Sequence, residues 1–157
     1  MFQEMRNERV MRKKGAISQL NRERDKDLYR RYRCLAEKHL RLYGRISQGV
    51  LLREVVDGEA DRYWISAERA YSVVSQLKRG RMPFNGKNIT RLYRSLYKDF
   101  CDYKAGNPGV SDKRAVEEVV CMKAPCFGVE PRVAGMIIYR MKKERRMEMA
   151  ARRGRAL

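Results

Sequence analysis

The 157-residue sequence has one histidine, His39, one tryptophan, Trp64, four prolines and four cysteines. A single imidazole cannot furnish the histidine pairs of common zinc sites, and Cys121-x4-Cys126 has no partner pair at zinc spacing. No metal and no cofactor are expected. Also missing are a Ser/His/Asp set, a P-loop and a glycine-rich dinucleotide signature. Glu54, Asp57, Glu117 and Glu118 come nearest to a carboxylate cluster. Glu54 and Glu118 lie beside apolar stripes, where a structural salt bridge in each place is the simpler reading. A non-enzymatic protein is therefore expected.

No apolar run approaches the roughly 18–20 residues that span a bilayer. The first residues, MFQEMRNERVMRKKG, lack the uninterrupted apolar stretch of a secretory signal. These absences predict a cytoplasmic protein with free thiols and no membrane partner.

Acidic residues are scarce as well. Thirty-seven Lys and Arg face 19 Asp and Glu, a net charge of +18. The excess is spread out: residues 1–27, 28–80, 81–143 and 144–157 carry +3, +5, +7 and +3. Charge on this scale opposes compaction and favours a polyanionic partner, most often nucleic acid or an anionic membrane surface.

What is present is a repeat. Residues 54–79 and 118–143 align without a gap at an offset of 64 residues. They share Glu-Val-Val, two alanines, an aromatic residue, Ile/Val, a Val-Val/Ile-Ile pair and a basic pair. Upstream, Leu28-Tyr29-Arg30 matches Leu92-Tyr93-Arg94, and Ser47 matches Ser111. Positions 28–79 and 92–143 hold 10 identities in 52 pairs. The matches recur at helical spacing on positions a core would need, which implies a tandem duplication of a small domain. None of the four cysteines recurs in the other copy, so none belongs to the shared scaffold.

The spacing predicts three helices per copy. The first helix of copy one is expected from about Asp25 to Tyr43, with Leu28, Tyr32, Leu35 or Ala36, His39 and Leu42 near one face and Gly44 as the stop. Leu92, Leu96, Phe100 and Tyr103 repeat that face. His39 aligns with Tyr103, which suits packing better than proton transfer. Second helices follow Ser47 and Ser111 as N-caps, burying Leu51, Leu52, Val55 and Val56, or Ala115, Val116, Val119 and Val120. An extended connection of eight or nine residues comes next. Third helices begin at Ser66-Ala67-Glu68 and at Pro131. Their inner positions are Ala67, Ala70, Val73, Val74 and Leu77, or Pro131, Ala134, Ile137, Ile138 and Met141. Trp64, opposite Gly128, is expected to pack at the periphery. Residues 1–24 read as a basic arm with few apolar anchors (Val10, Met11, Ile17 and Leu20), either solvated or a frayed helix. Residues 81–88 read as a basic linker, and 144–157 as a basic helical tail.

The two units, roughly 25–80 and 89–143, resemble helix-turn-helix-like three-helix DNA-binding domains in tandem. Each offers a second helix followed by a third whose outer face carries Arg, Gln, Ser, Lys and Tyr. The connection is longer than the usual three- or four-residue turn. The expected fold is all-α: two tandem helix-turn-helix-like domains with basic terminal extensions. Arg79-Gly80-Arg81 and Arg153-Gly154-Arg155 look like the core of the AT-hook, but Met82 and Ala156 follow where that motif has Pro. A helix cap followed by a charged tail is the alternative.

The resemblance implies double-stranded-DNA binding, with each third helix in a major groove. Arg69, Ser72, Ser75, Gln76, Arg79 and Arg81 would make the contacts in copy one. Arg132, Tyr139, Arg140, Lys143, Arg153 and Arg155 would do so in copy two, beside Met136. Direct duplication suggests two non-identical half-sites read by one chain, rather than a palindrome read by a dimer. The expected role is a regulator or an accessory factor in replication, recombination or a mobile element. An association with the nucleoid, a mobile element or a virion would suit it. The alternative is an RNA-bound structural protein of a ribosome or virion, with Tyr29, Tyr71, Tyr93, Tyr97 and Tyr139 stacking on bases. The oligomeric state is left open, a monomer being compatible.

Overall fold

The protein is all-helical in a computed structural model that describes the backbone of residues 2–156 and side chains from residue 18 onward. In chain order the helices are α1 (Phe2–Tyr43), α2 (Gln48–Asp57), α3 (Ala67–Lys78), α4 (Lys87–Gly106), α5 (Asp112–Val119) and α6 (Pro131–Arg155). No helix is long and apolar enough to cross a membrane among the described residues.

Local chemistry sets most boundaries where the sequence places them. Gly44 and Gly80 follow α1 and α3 with φ of 69° and 74°, the left-handed conformation that glycine adopts without steric cost. Ser66 and Ser111 cap α3 and α5 by accepting from the amides of Arg69 and Arg114. Ser47 holds the extended N-cap backbone of α2, but its side chain makes no cap bond. Pro131 opens α6, where its missing N–H leaves no partner unmet.

One boundary differs. The expected arm of residues 1–24 is helical and continuous with α1. It contains no proline and a single glycine, Gly15, among good helix formers such as Arg, Lys, Glu and Met. Nothing local stops the helix. The side chains of Val10, Met11 and Ile17 lie outside the described ones.

The core repeats with the sequence. Leu28, Tyr32, Leu51, Val55, Val56, Ala60, Tyr63, Ala70, Val73 and Val74 are buried. So are their equivalents Leu92, Leu96, Ala115, Val119, Val120, Ala124, Phe127, Ala134, Ile137 and Ile138. Burial of one such Leu, Ile or Val contributes about 1.5–3 kcal/mol, so the shared positions account for most of the hydrophobic drive.

Packing partners depart from the expectation. The three helices of one copy do not form one bundle. Instead α1 and α2 pack with α6, while α4 and α5 pack with α3. Each copy sends its third helix to the other. Lys142 of α6 lies over the Tyr32 ring of α1 at 4.7 Å, and Lys78 of α3 lies over the Phe100 ring of α4 at 5.0 Å. The extended connections make the crossing. Ala60 and Ala124 form an antiparallel bridge in which each amide donates to the other's carbonyl, at 2.9 and 3.1 Å. Tyr63 N donates to Val120 O at 3.1 Å, and its equivalent Phe127 N donates to Val56 O at 3.2 Å. Every one of these bonds has a counterpart 64 residues along. A local two-fold axis therefore passes between Ala60 and Ala124 and relates the two copies.

Candidate nucleic-acid interface

The exchange decides which side chains of the third helices reach solvent. On α3, Arg69 is exposed; so is Arg79 at its C-cap, and Arg81 follows in the exposed turn after Gly80. Ser72, Ser75 and Gln76 are half-buried, with Gln76 Nε2 donating to Ser72 Oγ at 3.4 Å. These three were expected on the outer face; α3 is held by both α4 and α5, which narrows its free surface. On α6, Arg132, Met136, Tyr139, Arg140 and Lys143 are all exposed. The spacing of Arg132, Met136, Tyr139 and Lys143 (i, i+4, i+7, i+11) sets them in one stripe. Arg153 and Arg155 are exposed farther along the same helix, about 15 Å beyond Lys143 at 1.5 Å per residue.

Charge pairing separates free cations from structural ones. Arg140 bonds the buried carboxylate of Asp25 on α1 and lies 3.9 Å from Glu144, so it is tied to the α1–α6 seam. Lys78 donates to Asp112 at 2.6 Å, and Lys104 lies 3.1 Å from the same carboxylate. Those two ammonium groups, Lys78 first, hold the Asp112 carboxyl below its usual range. Among the described residues, no ion pair engages Arg69, Arg79, Arg81, Arg132, Lys143, Arg153 or Arg155. Seven of the twelve residues predicted as contacts are thus uncompensated, exposed cations.

A further basic surface extends from the expected basic linker into α4. Asn85, Gly86, Lys87, Thr90, Arg91 and Arg94 line a concavity of about 470 Å³ at the first turns of α4. Asn85, Gly86 and Lys87 fall in the expected basic linker of residues 81–88; beyond it the sequence signal was the match of Arg94 with Arg30. In copy one the equivalent region is neutralised: Arg30 bonds both Asp27 and Asp61. The guanidinium of Arg30 in turn pulls the Asp61 carboxyl below its ordinary value.

Two residues weighed from sequence are structural. Trp64 is half-buried, and its indole N–H donates to Asp27 Oδ2 at 2.8 Å. His39 is buried, with Nε2 2.6 Å from Glu54 Oε2 and its ring edge-on to Tyr43. Glu54 thus has a hydrogen-bonded partner where a structural salt bridge was expected. The equivalent pair, Glu118 and Tyr103, forms no such contact among the described residues, because Tyr103 replaces the imidazole.

Of the tyrosines considered for stacking, Tyr93 is buried, Tyr29 and Tyr97 are half-buried, and Tyr71 and Tyr139 are exposed. No group of three or more His, Cys, Asp or Glu side chains is placed to hold a metal among the described residues. Cys34, Cys101 and Cys121 are exposed free thiols; Cys126 is buried, and burial pushes its thiol up. No protein family, curated protein or solved structure matches the chain.

Proposed function

We propose that this is a non-enzymatic protein that binds double-stranded DNA in the cytoplasm. The observation that carries the reading is a +18 chain whose duplicated third helices present exposed, unpaired cations on otherwise divergent faces. Uncompensated surface cations release counterions from a phosphate backbone on binding, which supplies affinity. Arg69, Arg79, Arg132 and Lys143 suit this role, with Arg81, Arg153 and Arg155 on the flanks and Lys87 and Arg94 in the basic concavity, where Arg91 lies 3.8 Å from Asp57.

In this reading the helix-turn-helix-like unit is composite. A second helix from one copy supports the third helix of the other: α2 with α6, and α5 with α3. The exposed arginines then read base edges, while Lys143 holds phosphate. A regulator or an accessory factor in replication, recombination or a mobile element fits equally.

Titration of a labelled duplex at several salt concentrations tests the reading. Affinity falls linearly on a log–log plot, and drops about a thousandfold between 50 and 200 mM salt if six or so phosphates are engaged. Salt-independent binding sinks it. Structured RNA as a competitor separates the RNA-bound reading, for which Tyr71 and Tyr139 are the exposed ones among the five tyrosines proposed to stack. Preferential loss of signal to RNA would reassign the partner.

A further inference from the structure

The relation between the two copies makes a statement about the DNA that the repeat alone does not. Sequence duplication suggests two non-identical half-sites but says nothing of their relative orientation. The folded copies, however, are inverted with respect to one another. Ala60 and Ala124 exchange both backbone bonds, and the Tyr63–Val120 and Phe127–Val56 bonds are mates across the same axis. The third helices obey it too, each packed on the first and second helices of the other copy.

Positions equivalent under this axis carry unequal chemistry. Arg79 corresponds to Lys143, a pair of exposed, unpaired cations. Arg69 corresponds to Val133, Ser75 to Tyr139, and Gln76 to Arg140. The scaffold is two-fold; the surface it presents is not. Duplex DNA has a local two-fold axis at every base pair and between base pairs. A protein two-fold carrying two reading elements aligns with one of them, so the half-sites it reads are inverted.

We infer that the chain, resting on the DNA-binding reading above, recognises two inverted half-sites of different sequence. The axis between Ala60 and Ala124 lies on the local two-fold of the duplex. The face bearing Arg69 and Arg79 reads one half, and the face bearing Arg132, Tyr139 and Lys143 reads the other. One chain thereby does what a homodimer does on a palindrome, with the freedom to read an imperfect one.

Selection of the full-length chain against a randomised duplex pool, followed by footprinting of an enriched duplex, is the test. The expected result is two recurrent elements in inverted orientation with unequal base content. Arg79→Ala then weakens protection over one element and Lys143→Ala over the other, each lowering affinity about tenfold. Both residues are exposed, and an unchanged helical circular dichroism spectrum and unfolding midpoint verify the fold. Directly repeated elements, a single element, or no recurrent element among retained duplexes overturns the inference while DNA binding stands. So does equal loss over both halves in each variant. If no duplex is retained, the DNA-binding reading fails, and this inference with it.

Discussion

Ala60 and Ala124, 64 residues apart in sequence, donate to and accept from each other across one antiparallel bridge at 2.9 and 3.1 Å. Both are buried, and both are the smallest residue that still has a Cβ. Exchange of both bonds is the closely spaced arrangement of antiparallel pairing, in which opposed residues are related by a two-fold axis. Because those two residues are also equivalent in the repeat, the local symmetry of a hydrogen-bond pair becomes the symmetry of the chain. The connections diverge from this point into opposite bundles. Position 60 thus couples the duplication to the crossing of the third helices.

Gly128 follows that bridge in copy two with φ of 70°. A Cβ built there would lie 2.5 Å from Leu92 Cδ2, and Leu92 is buried in the core. Gly128→Ala therefore combines left-handed strain of about 1–2 kcal/mol with overpacking of about 1–3 kcal/mol. Gly44, with φ of 69° and nothing within 4 Å of its built Cβ, isolates the strain. Urea midpoints should place Gly128→Ala well below Gly44→Ala. Equal midpoints would refute the close approach to Leu92.

Much of the scaffold was legible because helical spacing marks faces and the repeat marks them twice. Val55-Val56 and Val119-Val120 are buried where the pattern puts them, as are Val73-Val74 and Ile137-Ile138. What the pattern cannot encode is the partner of a face. Ala70, Val73 and Val74 form an apolar stripe whether α3 folds back on α2 or crosses to α4 and α5. The one visible hint was the length of the 58–66 connection, too long for a tight turn. The site was legible to the same depth. Exposed arginines such as Arg69 and Arg132 follow from periodicity. The tie of Arg140 to Asp25 does not, since Asp25 and its equivalent Ile89 share no chemistry. The concavity at Lys87, Arg91 and Arg94 was obscured for a related reason: its charge depends on carboxylates that copy one has and copy two lacks.

Asp27 is one such carboxylate, buried where copy two has Arg91. Its Oδ2 accepts from Trp64 Nε1 at 2.8 Å and from the Asp61 amide at 2.9 Å, and Oδ1 accepts from Arg30 at 2.8 Å. Asp27→Ala leaves an indole N–H and a backbone N–H without their acceptor at once. Bonds to a charged group are worth about 1.5–3 kcal/mol, so a loss of about 3 kcal/mol is expected. Trp64 is the only tryptophan, and its emission should shift to longer wavelength in the folded variant as water replaces the carboxylate. Unchanged emission together with unchanged stability would remove Asp27 from this role.

Tyr63 predicts behaviour at alkaline pH. It is fully buried, and its hydroxyl donates to Asp99 at 2.6 Å and lies 2.8 Å from Ser95 Oγ. Burial, followed by the bond to Asp99, raises its pKa well above the ordinary phenol value. The unfolded phenol ionises near pH 10 while the folded one stays neutral. This contribution is therefore complete below about pH 10 and is lost as pH rises through and beyond that value. Tyr63→Phe, the residue type of its equivalent Phe127, should cost about 1–2 kcal/mol at neutral pH and make the alkaline decline shallower. Lys78 and Tyr97, whose values are also raised, keep part of that decline. An alkaline limb identical to the parent's would contradict the assignment.

The exchange of third helices can be tested by cutting the chain. Severed within residues 82–86, between α3 and α4, it yields one piece with α1, α2 and α3 and another with α4, α5 and α6. If each copy folded on itself, either piece alone would be a folded three-helix unit. In the observed packing each piece lacks the helix that covers its first two. Val73 and Val74 are buried against the second piece, and Ile137 and Ile138 against the first. Isolated pieces near 80 residues with an uncovered core are marginal. Each alone should show low helicity and bind hydrophobic dyes, and mixing at equal concentration should restore the helical signal and a cooperative unfolding transition. The restored midpoint should rise with concentration, as for any fold shared between two chains. Two pieces that each unfold cooperatively alone, with no gain on mixing, would return the third helices to their own copies.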